Sequence, residues 1–421
     1  MRLPKLLTTI RTYDLGQFTA DLLAGLTVAM VALPLSLAIA IASGADPSTG
    51  LVTAVVAGFL ISAFGGSRVQ IGGPTGAFIV VVFGIIADHG YDGLVLATLM
   101  AGFILLVAGY FRAGRLIAHI PEAVVNGFTI GIAIIIATSQ VKDFFGLSLA
   151  HLPADFIETV PMLAGAADTL NLSAFGVAAV ALVCILLLRW LAPRFPGLIV
   201  GLAVASGLVV VLHLPVDTIQ SRFGALPSGL PMPALPDISW SRLVALLPSA
   251  IIIAFLAGVE SLLSAMVADR MIDGKHRPNA ELTAQGIANI GSALFGGLPA
   301  TGAIARTATN VRAGGKTPVA GLVHALALLV IMLFAAPAAG YLAMPALAAL
   351  LMVTAWNMSE PHRWPEYWRA PVGDRALLFI TLVLTVFVDL TVAIGVGVAL
   401  GLALRLGRRK PDESDWTPPE R

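Results

Sequence analysis

Gly72 to Ala77 reads GGPTGA, and Gly296 to Ala303 reads GGLPATGA. Each stretch sets two glycines first, then a proline, then Thr-Gly-Ala. Proline fits the first turn of a helix, where its missing N–H costs nothing, and glycines ahead of it allow a short extended approach. Each stretch therefore predicts a brief strand leading into a half-length helix. The first amides of such a helix have no intrahelical acceptor, so the surroundings of the two stretches decide what those amides serve.

Those surroundings are apolar. The 421 residues are 58% hydrophobic and 12% charged, with a mean hydropathy of +0.92. Soluble domains run at about 45–50% apolar and about 25% charged, so this chain has too little charge to cover a surface facing water. Apolar runs of about 18 residues or more, the length of a membrane span, recur throughout. The strands of a soluble α/β enzyme are only about 4–8 residues long. The fold class is an all-α polytopic membrane protein in a lipid bilayer. The net charge of +1 comes with no concentrated basic face, which argues against a nucleic-acid partner. The lone Cys184 rules out an internal disulfide. The opening MRLPKLLTTIRTYDLGQ is polar and basic, unlike a cleavable signal, so the first span is expected to direct insertion.

Long spans read at 22–43, 48–64, 93–111, 121–140, 173–192, 197–213, 243–268, 317–335 and 376–405, with shorter or punctuated ones at 74–87, 279–296, 301–312 and 344–357. The last long run exceeds one span, and Asp389 near its middle predicts a hairpin of two, for fourteen in all. With the N-terminus inside, 21 of the 25 Lys and Arg residues fall on the cytoplasmic side, among them Arg2, Arg115, Arg194 and Arg405. The outer loops keep Lys142, Arg222 and Arg242, and Arg306 stays within the membrane region. This is the asymmetry that the positive-inside rule expects. The reading divides the chain into a cytoplasmic segment 1–20, a first repeat of seven spans 21–213, a proline-rich outer loop 214–242, a second repeat of seven spans 243–406 and a cytoplasmic tail 407–421. A second outer loop, 141–171, is acidic. The expected location is the plasma (cell inner) membrane, multi-pass, with both termini cytoplasmic.

An odd number of spans per half makes the repeats inverted. The two Gly-Pro stretches then fall in the third and tenth segments, and their half-helices start near the midplane with N-termini facing each other. Paired interrupted segments of this kind point to a transporter site. Each N-terminus carries free amides and about half a positive charge, so two of them facing one cavity suit an anion. The plainer reading is a pair of ordinary helix breaks stabilised by neighbouring helices.

Two ionisable residues lie deep in the spans: Glu260 in AIIIAFLAGVESLLSAMVAD and Arg306 in TGAIARTATN. Charges at such depth usually face a cavity and serve function, although the two could simply pair with each other to hold helices together. In the functional reading Arg306 is a fixed positive charge for the anion, and Glu260, which can take up a proton, is the proton carrier. Pro34 in VALPLSLAIA is expected to break the first span, where Ser36 and Ser43 could line a cavity, a weaker set; a packing kink is the alternative. Asn126 and Gln140 read as interhelical glue. His119, His213 and His324 show no metal spacing, and the chain has no H-E-x-x-H, no P-loop and no G-x-S-x-G. No enzyme, no metal and no cofactor is expected.

The stretch RPNAELTAQGIANIGSALFGGLPATGAIARTATNVRAGGKTPVAG, Arg277 to Gly321, resembles the signature of the sulfate permease family, whose animal members form solute carrier family 26. The resemblance extends to DLLAGLTVAMVALPLSLAIA from Asp21, GPTGAF from Gly73, PEAVVNGFTIGIA from Pro121 and VDLTVAIGVGVALGLA from Val388, covering essentially the whole chain. It implies a core domain of spans one to four and eight to eleven that moves against a gate domain, with the anion between the first, third, eighth and tenth spans. Carried over by position, the substrate-binding set is Pro34, Gly73, Pro74, Thr75, Gly76, Ala77, Phe78, Ser261, Thr301, Gly302, Ala303 and Arg306, with Glu260 for proton coupling. Many members have Gln and Gly after the first-span proline, where Leu35 and Ser36 stand here. A cytoplasmic STAS domain usually follows the last span, and this chain stops before it. The full-length form is expected to be a homodimer.

The expected function is secondary active transport of a small inorganic or organic anion: a carboxylate or dicarboxylate, bicarbonate, or sulfate. Coupling is expected to be to H+, with Na+ coupling or anion exchange as alternatives. A passive channel would need a continuous pore. A sensor or scaffold would not need an inverted repeat with two buried ionisable groups.

Overall fold

The computed structural model describes residues 3–114, 121–149, 152–153, 155–192, 196–388 and 390–407. Arg2, Arg115, His119, Arg194, Asp389 and the tail from Arg408 onward lie outside the described residues. The first half holds helices α1 Leu15–Ala42, α2 Pro47–Phe64, α3 Phe78–Tyr110, α4 Glu122–Phe145, α5 Leu172–Leu191 and α6 Gly197–Val211. The second holds α7 Trp240–Ile272, α8 Pro278–Leu294, α9 Ile304–Arg312, α10 Val319–Gly340, α11 Met344–Met358, α12 Val372–Phe387 and α13 Leu390–Gly407. Among the described residues, seven of these helices are long and apolar enough to cross a bilayer on their own. Two short strands, β1 Gly72–Gly73 and β2 Thr301–Gly302, precede α3 and α9.

Helix α3 is two helices run together. Gly90 breaks it with φ 70° and ψ 177°, a conformation that glycine adopts without steric cost. With 78–89 and 91–110 counted apart, the halves share one order: two full helices, a strand with a half-helix, then four more helices. Local chemistry sets the starts. The Asp14 carboxylate accepts from the Gln17 amide, Asp46 caps α2 ahead of Pro47, and the Asn171 side chain accepts from the amides of Ser173 and Ala174.

The helices pack in two groups. Helix α8 lies on α3 and α2, α7 on α3, and α10 on α1 and α2; separately, α4 packs with α11 and α12, α5 with α6 and α11, and α13 with α12. The crossing of α3 and α8 brings backbones into contact. A Cβ on Gly286 would sit 2.7 Å from the Gly102 carbonyl oxygen. Lipid supplies no hydrophobic drive between helices, so close approach of this kind holds them.

Several elements differ from the sequence reading. Pro34 does not interrupt the first span; α1 runs through it, and the helix interior tolerates the missing donor. Helix α4 extends to Phe145, and the rest of the outer stretch includes a helix, Phe156–Gly165, capped by Asp155. A short helix, Trp364–Arg369, follows α11, and the Arg363 guanidinium just before it reaches Glu122, Glu360 and Glu366. The expected break in the last apolar run falls between α12 and α13.

Candidate functional site

The two matched stretches meet. Strands β1 and β2 pair antiparallel, Gly72 opposite Gly302 and Gly73 opposite Thr301. Side chains hold each strand in place. Asn289 on α8 grips Ala300 from both sides, its Oδ1 accepting from the amide and its Nδ2 donating to the carbonyl, each at 2.9 Å. The Thr307 hydroxyl accepts from the Ile71 amide at 3.0 Å, and Asn310 Nδ2 donates to the Val69 carbonyl at 2.8 Å. The Ala303 amide donates to the Ile71 carbonyl, extending the pairing to the first residue before α9. The half-helices leave the crossing differently. Pro74 to Ala77 make a turn, with Thr75 and Gly76 carbonyls accepting from the Phe78 and Ile79 amides, whereas only Ala303 separates β2 from α9.

Arg306, in the first turn of α9, sends its side chain back to β1 and α1. It is 2% exposed. Nη2 donates to the Ser36 hydroxyl of α1 at 3.2 Å. Nη1 lies against Gly73, where a Cβ would fall 2.5 Å from it, and Gly73 also takes φ 151°. Both facts require glycine there. Nε and Nη1 have no hydrogen-bond partner among the described residues. Among the described residues, no carboxylate oxygen lies within 4.0 Å of the guanidinium. Glu260 and Arg306 therefore do not form an ion pair.

Glu260, on α7, instead accepts a hydrogen bond from the Thr75 hydroxyl at 2.9 Å. It borders a narrow crevice with Phe255 and Val259 of its own helix, Val124 and Phe128 of α4, and Ile394 of α13. This crevice is the boundary between the two helix groups. Thr75, Glu260, Ile304 and Ala305 keep some accessible surface. The Arg306 charge lies against Gly73 of β1, and α9 begins one residue after β2.

The other expected site residues separate into two groups. Gly73, Pro74, Thr75, Gly76, Ala77 and Phe78 follow one another along the first stretch, and Thr301, Gly302 and Ala303 lie across from them. The Thr301 hydroxyl is turned away, donating to the Ala257 carbonyl at 2.9 Å. Ser261 faces into the helix packing and bonds Gln70, Gln285 and Glu281. Pro34 is buried within α1 two residues before Ser36. Sequence reasoning did not single out Gln70, Glu281, Gln285 or Asn289. Three of them carried a legible signal: Glu281, Gln285 and Asn289 recur at i, i+4 and i+8, a polar stripe on one face of an otherwise small-residue helix.

Comparison with known proteins bears on the fold and the family. The model of the sulfate permease family matches residues 18–381. The putative sulfate transporter YvdB of Bacillus subtilis (strain 168) is 43% identical over 379 residues, covering 90% of this chain and 71% of its own. The bicarbonate transporter BicA of Synechocystis is 32% identical over 378 residues, covering 88% of this chain and 66% of its own. The solved transmembrane domain of a cyanobacterium bicarbonate transporter BicA superposes with a TM-score of 0.81 at 31% identity, over 91% of this chain and 99% of that one. Murine solute carrier 26 family member A9, an anion transporter solved in the inward-facing state, shares the fold with a TM-score of 0.87 at 20% identity, over 96% of this chain and 71% of that one.

Proposed function

The chain belongs to the sulfate permease family, and from that premise we propose that it is a secondary active transporter carrying a small anion of carboxylate type, bicarbonate included, together with a proton. The named relatives are transporters, and this chain is no enzyme. The observation that carries the reading is Arg306: a buried guanidinium at the start of α9 that, among the described residues, has two nitrogens without a partner and no carboxylate beside it. A buried cation is costly without a counter-charge, and two half-helix ends add about half a positive charge each. An anion at the crossing would answer both.

Glu260 supplies the proton side. A carboxylate beside the bound anion repels it, and protonation removes that repulsion, so each ligand favours the other. Alternating access would slide α1–α3 and α7–α10, which carry the crossing, against α4–α6 and α11–α13. The test is uptake by proteoliposomes of labelled bicarbonate, formate, succinate, sulfate and chloride, with pH and Na+ gradients imposed separately. Carboxylate-type anions should accumulate when the outside is more acidic. Accumulation that follows Na+ and ignores pH would reassign Glu260 to a sodium site, and no accumulation of any anion would overturn the reading.

Both termini are placed in the cytoplasm of a plasma (cell inner) membrane protein. The outer side keeps few cations, and two of them are neutralised there: Arg222 pairs with Asp143 and Asp217, and Arg242 with Asp237. Ser228→Cys and Lys275→Cys in a Cys184→Ala background should react with an impermeant thiol reagent from opposite sides. Reaction of both in intact cells would reject the topology.

A further inference from the structure

Two neighbouring residues of α7 face different worlds. Glu260 meets the crevice, and Ser261 is fully buried among α3, α8 and the approach to β1. The Ser261 hydroxyl accepts from Gln70 Nε2 at 2.9 Å and from Gln285 Nε2 at 2.7 Å, and donates to Glu281 Oε1 at 2.9 Å. A hydroxyl has one proton to donate and two lone pairs, so all its capacity is used, and none remains for a transported anion.

Glu281 is likewise fully buried and accepts at both oxygens. Oε1 takes Ser261 and Gln285; Oε2 takes the backbone amides of Gly66 and Ser67 at 2.8 and 3.2 Å. Gly66 belongs to the connection between α2 and β1, and its carbonyl accepts from the Arg277 amide at the start of α8. At the other end, Gln70 lies flat on β2, where a Cβ on Gly302 would fall 1.5 Å from its Nε2. The direction of every bond is forced, because both carboxamides donate to Ser261 and its single proton must go to Glu281. The chain of contacts runs from the α2–β1 connection through Glu281, Ser261 and Gln70 to β2.

We infer that Glu281, acting through Ser261 and Gln70, is a positioning residue that fixes the rotation of α7 and so holds the Glu260 carboxylate at Thr75 and the crevice. Successive helix residues point about 100° apart, so holding Ser261 from three sides sets where Glu260 points. Gln70 and Thr75, on either side of β1, then clasp two consecutive residues of α7, binding the coupling carboxylate to the strand that carries the anion site. The inference rests on Glu260 as the proton carrier.

The experiment compares Ser261→Ala, Ser261→Thr and Glu281→Gln with the wild type and with Glu260→Gln in the same proteoliposomes. Two rates are read: accumulation driven by a pH gradient, and exchange of labelled for unlabelled formate with no gradient. Leaving a buried partner unsatisfied should lower the ratio of accumulation to exchange about tenfold or more in Ser261→Ala and Glu281→Gln. Ser261→Thr keeps the hydroxyl and should restore the ratio. A purely structural role lowers both rates together and leaves the ratio at the wild-type value, which would overturn the inference alone. Accumulation that survives in Glu260→Gln would overturn the proton-carrier reading, and this inference with it.

Discussion

Arg306→Ala lowers the affinity for the transported anion by roughly thirtyfold or more, the equivalent of about 2–5 kcal/mol for removing one partner of a buried charge pair. The expectation follows from how little the protein does for this guanidinium. Ser36 takes one nitrogen, and the other two are bare. The free protein therefore loses one hydrogen bond and sheds a buried charge that no carboxylate among the described residues balances, so it should still melt cooperatively. What should vanish is stabilisation by the anion, which scales with the logarithm of ligand concentration over Kd. Arg306→Lys is the sharper control: it keeps a charge but loses the planar fork that reaches Ser36 and Gly73 together. Anion-dependent melting and the KM of uptake read the result. An alanine variant with wild-type affinity and wild-type anion stabilisation would place the anion elsewhere.

Glu260→Gln abolishes accumulation on an imposed pH gradient and leaves anion exchange running. Glutamine keeps an oxygen where the Thr75 hydroxyl donates, so the local geometry is retained, but it can neither gain nor lose a proton. The sign follows from linkage. The proton and the anion favour each other's binding, so uptake by the wild type rises as the outer pH falls, and the variant's uptake is flat over the same range. Carrying an uncompensated carboxylate through the low-dielectric boundary is costly, so the loaded carrier moves with Glu260 protonated, and the variant stands permanently in that form. Vesicles containing the Gln variant that still concentrate anion on a pH gradient would remove Glu260 from the coupling step.

Much of the fold was legible because lipid allows few solutions. Apolar length marked the spans, and the Gly-Pro stretches marked the two places where a helix must start late. Gly72 and Gly302 did pair as strands. The charge pattern served as a check on the count of spans, and the helices of the two halves follow one order. What sequence could not reveal is where a side chain turns after its helix is placed. Glu260 and Arg306 looked like potential partners at similar depth, yet one points to the crevice and the other back to β1 and α1. Ser261 sits beside Glu260 in sequence and faces another neighbour, since one residue of helix turns the side chain by about 100°. Pro34 looked like a break because proline costs about 3 kcal/mol in an exposed helix interior, but inside a bundle neighbouring groups absorb the loss. The outer helix Phe156–Gly165 was hidden because an apolar helix of ten residues with Pro161 inside it is too short to read as a span.

The pairing of β1 with β2 also says something about how the molecule must be made. The two strands belong to opposite halves, and roughly 230 residues separate them, which at about 5–20 residues per second puts their synthesis about 10–45 s apart. During that interval Gly72 and Gly73 are already in the membrane, with backbone groups that have no strand to bind. Unsatisfied amides and carbonyls are not tolerated against hydrocarbon. The first half must therefore wait in a wetted or escorted state, at the insertion machinery or under a membrane chaperone, until Thr301 and Gly302 arrive. A ribosome stalled anywhere in that window leaves a half-protein that exposes this unpaired edge, the feature by which a quality-control protease could tell an unfinished chain from a finished one.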